Sequence, residues 1–141
     1  MLQKAILKFN YMNNFDKIIN ECFEILDMIE FLIEEKDYMF IADHTKMLSK
    51  CIDFLKTNMD NENIVVNKNI KKIENKTKEI EEIYNSVLDS DTEQKTIYKV
   101  YNDGIKPRIN ELRKLINEWN FKHKNKKPLK TSIIENKIFN Y

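Results

Sequence analysis

The sequence predicts an all-α protein, an antiparallel bundle of four main helices with short helical segments at both termini. Three observations carry that prediction. The 141 residues include one glycine, Gly104, and two prolines, Pro107 and Pro128, too few turn formers for a sheet built on tight hairpins. Charged residues make up 33% of the chain and apolar ones 42%, the mixture that amphipathic helices need. Apolar side chains recur at spacings of three and four over most of the length, which is the helical period.

The elements follow in order. Leu2, Ala5, Ile6 and Phe9 predict a short helix over residues 2–12, interrupted by "NYMNN". A first main helix should run from Phe15 to about Lys36, with Phe15, Ile18, Ile19, Cys22, Leu26, Ile29 and Ile33 as its stripe. Asn14 stands ready as N-cap, and Asp16 lies in the first turn, where the helix dipole favours an acid. Met28 and Phe31 project away from this stripe on a wheel at ~100° per residue. The tetrapeptide "EKDY" predicts a tight turn with Asp37 as cap. A second helix then carries Ile41, His44, Leu48, Cys51 and Leu55 on its inner face. Folding the two helices into an antiparallel hairpin about Lys36 and Asp37 brings Cys22 level with Cys51. The polar run "TNMDNEN" ends the second helix.

Residues 64–88 form the most regular element. Val66, Ile70, Ile73, Thr77, Ile80, Tyr84 and Val87 alternate spacings of four and three, a coiled-coil seam or a bundle helix with left-handed crossing. So narrow a seam suggests a peripheral helix, or a homodimer formed through it. Lys68, Lys71, Lys72, Asn75, Lys78, Glu79 and Glu82 form a solvated opposite face, with Glu74 paired to Lys78. Ser90 and Glu93 have capping-box spacing and open the fourth main helix. Ile97, Tyr101, Ile105, Ile109, Leu112, Ile116 and Trp119 keep phase through "NDGIKPR", so Gly104 and Pro107 read as a kink. A true break, with Pro107 opening a new helix, is the alternative. Residues 121–131 read as a basic linker to a short C-terminal helix, for which Ser132 and Glu135 repeat the capping-box spacing. The whole chain, 1–141, reads as a single helical-bundle domain.

The net charge of +1 conceals an asymmetry. Residues 1–63 hold 7 lysines and 12 acids, whereas residues 64–141 hold 17 basic side chains and 11 acids. Folded back on itself, such a chain can neutralise internally or offer either pole to a partner. No leader-like or membrane-spanning pattern is present in the sequence, so the expected location is the cytoplasm, without membrane association. Two cysteines are too few for a disulfide framework and read as reduced core thiols.

Enzyme signatures do not emerge, and no catalytic or cofactor-binding residues are assigned. A phosphate-cradling glycine loop needs more than Gly104. Adjacent acids such as Glu34 with Glu35 and Glu81 with Glu82 point about 100° apart on a helix and cannot converge on one substrate. Among metal ligands, His44 and Cys51 share a face but stand ~10.5 Å apart along the helix, too far to share an ion with Cys22. Neither a metal nor a cofactor is expected.

Two surfaces are left. Asp27, Glu30 and Glu34 gather on one side of the first main helix with Met28 and Phe31 beyond them, an aromatic beside an acidic rim that suits contact with another protein. Lys95, Lys99, Lys106, Arg113 and Lys124 fall within about 40° of one another on the fourth helix, and the row continues into Lys126, Lys127 and Lys130. Such a row can follow phosphates, though it lacks an aromatic to stack on a base. It can equally pair with the acidic first helix. The expected function is a non-catalytic protein-interaction module, an adaptor, small inhibitor or chaperone-like binder acting through helix faces. DNA or RNA binding through the basic row is the alternative.

Overall fold

The computed structural model describes the backbone of residues 2–58, 64–87 and 93–139, and the side chains of residues 16–57, 68–87 and 93–122. Those residues form α1 (Leu2–Glu34), a 3₁₀ turn (Tyr38–Phe40), α2 (Ile41–Asn58), α3 (Ile64–Ser86) and α4 (Gln94–Phe139). Each helix packs against two others, α1 with α2 and α4, and α3 with α2 and α4. The result is a four-helix ring around one core, as the sequence predicts.

The terminal segments belong to the main helices instead of standing apart from them. α1 continues through "NYMNN", because asparagine in a helix interior costs only a few tenths of a kcal/mol and neither proline nor glycine interrupts the run. α4 continues through residues 121–131 to Phe139, so the expected basic linker is helical. Ser132 and Glu135 lie inside that helix and open no new one. At the other end Ser90 lies outside the described residues; the Glu93 carbonyl accepts from the amides of Thr96 and Ile97, so α4 begins about one turn later than the capping box suggested.

The α1–α2 turn is set by backbone geometry. Lys36 adopts φ 58°, the Asp37 amide donates to the Leu32 carbonyl at 2.9 Å, and the Lys36 amide donates to the Ile33 carbonyl at 3.1 Å. These two bonds define a Schellman motif with Lys36 at the left-handed position that glycine usually takes. Asp37, expected as the cap, makes no side-chain cap hydrogen bond.

The core is built from the predicted stripes. Leu26, Ile29 and Ile33 of α1, Leu48 and Leu55 of α2, Ile73 and Ile80 of α3, and Ile105, Ile109, Leu112, Ile116 and Trp119 of α4 are fully buried. In α2 the core position expected for His44 falls to Thr45, whose hydroxyl donates to the Ile41 carbonyl. His44 lies at the edge, with Nδ1 2.8 Å from the Phe40 carbonyl. The α3 seam of Ile70, Ile73, Thr77, Ile80 and Tyr84 is buried against α2 and α4 of the same chain, so a homodimer cannot use it. α3 is an equal member of the ring, not a peripheral helix.

α4 runs unbroken past Gly104 and Pro107. A Cβ at Gly104 would lie 3.2 Å from Ile83 of α3, so this glycine permits close helix approach. Where α4 begins, the Tyr101 hydroxyl donates to the Tyr84 carbonyl at 3.0 Å. Its ring stacks on Tyr84 and meets Tyr38 edge-on, at 5.7 and 5.1 Å between centroids. Three tyrosines thus tie the 3₁₀ turn to the ends of α3 and α4, and burial pushes the Tyr101 phenol up to about 12.

Candidate functional site

The acidic rim of α1 and the basic row of α4 meet each other. Arg113 donates to Asp27 at 2.6 Å and to Glu30 at 2.5 Å, and Lys106 pairs with Glu34 one turn of α1 further on. The Tyr98 hydroxyl donates to the same Glu34 carboxylate at 3.3 Å, and the Lys36 ammonium lies 5.6 Å from the centre of the Tyr98 ring. The hydrogen bond from Lys106 holds the Glu34 carboxyl below its ordinary value, and in turn Glu34 raises Lys106. The antiparallel course of α1 and α4 explains the ladder: stepping from Glu34 back to Asp27 along one helix steps from Lys106 forward to Arg113 along the other.

The other seams are bridged differently. Lys56 of α2 pairs with Glu74 of α3 at 3.2 Å, which takes Glu74 from its expected partner Lys78. Lys76 bridges Glu79 and Glu111 at 3.1 and 2.8 Å, with Arg108 3.6 Å from Glu79. Glu79 is therefore half-buried in the α3–α4 seam and not part of the solvated face. The Glu111 hydrogen bond raises Lys76, and Lys76 lowers Glu111 in return. The pairs named here join every neighbouring pair of helices except α1 with α2.

At the α1–α2 seam the contact is apolar and sulfur-rich. Cys22 is completely buried and Cys51 nearly so, both as free thiols, as the hairpin register predicts. The influence of Cys51 raises Cys22, and that of Cys22 lowers Cys51. The Cys51 thiol also faces the Glu21 carboxylate at 3.9 Å.

The same hairpin carries most of the exposed large hydrophobic side chains among the described residues. Of six large hydrophobic side chains exposed among the described residues, Met28, Phe31, Met39, Phe40 and Met47 belong to it, and Phe121 lies on α4. Phe31 is 56% exposed and Met28 42%, so no neighbouring helix covers the two residues that project off the α1 stripe. The register that sets Cys22 beside Cys51 brings Met47 within a turn of the level of Met28. Met39, Phe40 and Met47 were not singled out by sequence reasoning. For Met47 the signal was there, since it falls about 100° off the axis of Leu48 on the α2 wheel.

Of the predicted basic row, Lys106 and Arg113 are engaged by α1, and Lys95 and Lys99 are exposed. The side chains of Lys124, Lys126 and Lys127 lie outside the described ones. No group of three metal-ligating side chains that could hold an ion occurs among the described residues. A cleft of about 170 Å³ between α2 and α3, lined by Ser49, Ile52, Asp53, Glu74, Thr77, Lys78 and Glu81, is smaller than the roughly 300 Å³ at which ligand pockets begin. No described helix is long and apolar enough to cross a membrane. Comparison of the chain with family models, curated proteins and solved structures finds no match.

Proposed function

We propose that the protein is a non-catalytic interaction module, an adaptor or small inhibitor in the cytoplasm, that binds another protein through the α1–α2 hairpin. The observation that carries this reading is the gathering of Met28, Phe31, Met39, Phe40 and Met47 on one hairpin. Exposed apolar groups scattered singly need no explanation, but a group of them rimmed by polar residues is a mark of an interaction surface. Methionine and phenylalanine are also types enriched where proteins meet. On the helical wheels the exposed Glu24, Glu35, Asp43, Lys46 and Lys50 stand near these side chains, a border of both signs that suits a partner segment with an apolar stripe and charged flanks. Asp27, Glu30 and Glu34 engage Arg113 and Lys106, so the reading rests on the apolar side chains more than on these acids.

DNA or RNA binding along α4 has less support. Two cations at the centre of the row, Lys106 and Arg113, would have to abandon carboxylates to reach phosphates.

The test is a double variant, Phe31→Asp with Met47→Asp, compared with wild type in affinity capture from extract of the native host. The reading expects a partner recovered with wild type and lost with the variant, at unchanged melting temperature. A partner retained by the variant would defeat it.

A further inference from the structure

We propose that Cys22 and Cys51 are a redox modification site, a dithiol that a hydroperoxide converts to a disulfide joining α1 to α2. The inference is independent of partner binding and rests on the placement of the two sulfurs. They occupy matching positions on the two arms of one hairpin, and the turn between the arms is held by two backbone hydrogen bonds around Lys36. Both are free and buried in the one core, and the Cys51 sulfur reaches across the seam to within 3.9 Å of the carboxylate of Glu21, the residue next to Cys22. None of the ion pairs described above ties these two helices together, so a covalent bond here would supply a link that the other seams have in electrostatic form.

The two thiols are not equivalent, and the difference gives the order of events. Cys22 is 0% exposed, whereas Cys51 retains 8% and sits against Glu21, a partly exposed side chain at the rim. The influence of Cys22 also favours the thiolate of Cys51, the form that reacts. Cys51 sulfur attacks one oxygen of hydrogen peroxide, so that an S–O bond forms as the O–O bond breaks, and the departing hydroxide takes up the proton that the Cys51 thiol gave up and leaves as water. Cys51 is then a sulfenic acid. Cys22 sulfur attacks the Cys51 sulfur, the S–O bond breaks, and the hydroxide leaves with the Cys22 proton as a second water. Two thiols lose two electrons in total, and the peroxide gains them.

The experiment treats the full chain in its native state with hydrogen peroxide, removes the oxidant, then denatures it in N-ethylmaleimide for mass spectrometry. The expected product has lost two hydrogens, takes up no maleimide, and yields a peptide pair linked through Cys22 and Cys51. Dithiothreitol should restore two labelled thiols, and the oxidised chain should melt at a higher temperature than the reduced one. In Cys22→Ala the sulfenic acid should persist on Cys51 long enough to be trapped by dimedone, while in Cys51→Ala the buried Cys22 should resist oxidation. Both alanines are small and apolar, and retention of the helical circular dichroism spectrum verifies each fold before treatment. The proposal is overturned if wild type keeps two labelled thiols, if it acquires sulfinic acid without the cross-link, or if the only disulfide formed joins two molecules.

Discussion

The two flanks of α1 meet their surroundings in opposite ways. On the α4 side, three acids are matched by Arg113 and Lys106, and Tyr98 closes the end of the row. On the α2 side and outward, Cys22 is buried against Cys51 while Met28 and Phe31 stay exposed beside Met47, Phe40 and Met39. One helix thus has a flank whose polar groups are satisfied within the chain and another whose apolar groups are not. A charged patch can be neutralised by its own molecule at little net cost, since exposed pairs contribute only about 0–1 kcal/mol each. An uncovered apolar patch has no such internal remedy, and it is the better sign of an outside partner.

The harshest way to break the comparison is to remove the buried face on which both flanks depend. Ile29→Ala truncates a fully buried α1 residue and should destabilise the fold by about 2–5 kcal/mol, measured by urea denaturation. A loss below 1 kcal/mol would mean that α1 is not seated in the ring.

Next in size is Arg113→Ala, which frees Asp27 and Glu30 at once. Because Arg113 and Glu30 keep partial contact with solvent and Asp27 is exposed, the expected loss is about 1 kcal/mol, shrinking in high salt. A double-mutant cycle with Glu30→Ala should return a favourable coupling. Zero coupling would show that the ladder is an arrangement without energetic consequence, and the contrast between the flanks would fade.

Acid sharpens the same contrast. Lys106 holds Glu34 below its ordinary 4.5, so the folded chain takes up this proton less readily than the unfolded one. The stabilisation is therefore complete above that value and drains away as pH falls through the lowered folded value. Lys76 gives Glu111 the same direction. Thermal melts from pH 7 to pH 3 should show a falling melting temperature, with a shallower fall for Glu34→Gln. An unchanged slope would remove Glu34 from the account.

The smallest expected effect belongs to Phe31→Ala. With a side chain facing solvent, it should change stability by no more than about 0.5 kcal/mol. A loss of about 3–5 kcal/mol, the range for a core phenylalanine, would place Phe31 under a covering element and withdraw it from the candidate surface.

Much of the ring was legible because buried stripes obey the helical period. The α4 residues from Tyr101 to Trp119 keep one phase past Pro107, and helix continuity followed from that phase. The hairpin register was legible too, since counting outward from Lys36 sets Cys22 against Cys51. Local signals misled where tertiary context outweighed them. "NYMNN" looked like a break, yet weak propensity alone does not end a helix. Asp37 looked like a cap, but a left-handed Lys36 does that work through backbone bonds. The α3 seam fitted a dimer and a bundle equally well, because period 3.5 describes the stripe and not its partner. Candidate residues divided in the same way. Charge at Asp27, Glu30, Glu34, Lys106 and Arg113 could be read, but whether it served an outside partner depended on helix adjacency. Phe31 was identifiable from the wheel, whereas Met39 and Phe40 depend on a 3₁₀ turn that periodicity does not reveal.

The central claim is that partners meet the protein on the apolar flank of the hairpin and not on its charged helices. Site-specific photo-crosslinking in the native host tests it most directly, with a benzophenone side chain placed at position 31, at position 47, or at the exposed Glu82 of α3. The account predicts the same discrete cross-linked protein from positions 31 and 47 and none from position 82. Equal cross-linking from all three positions, or a product from position 82 alone, would contradict it.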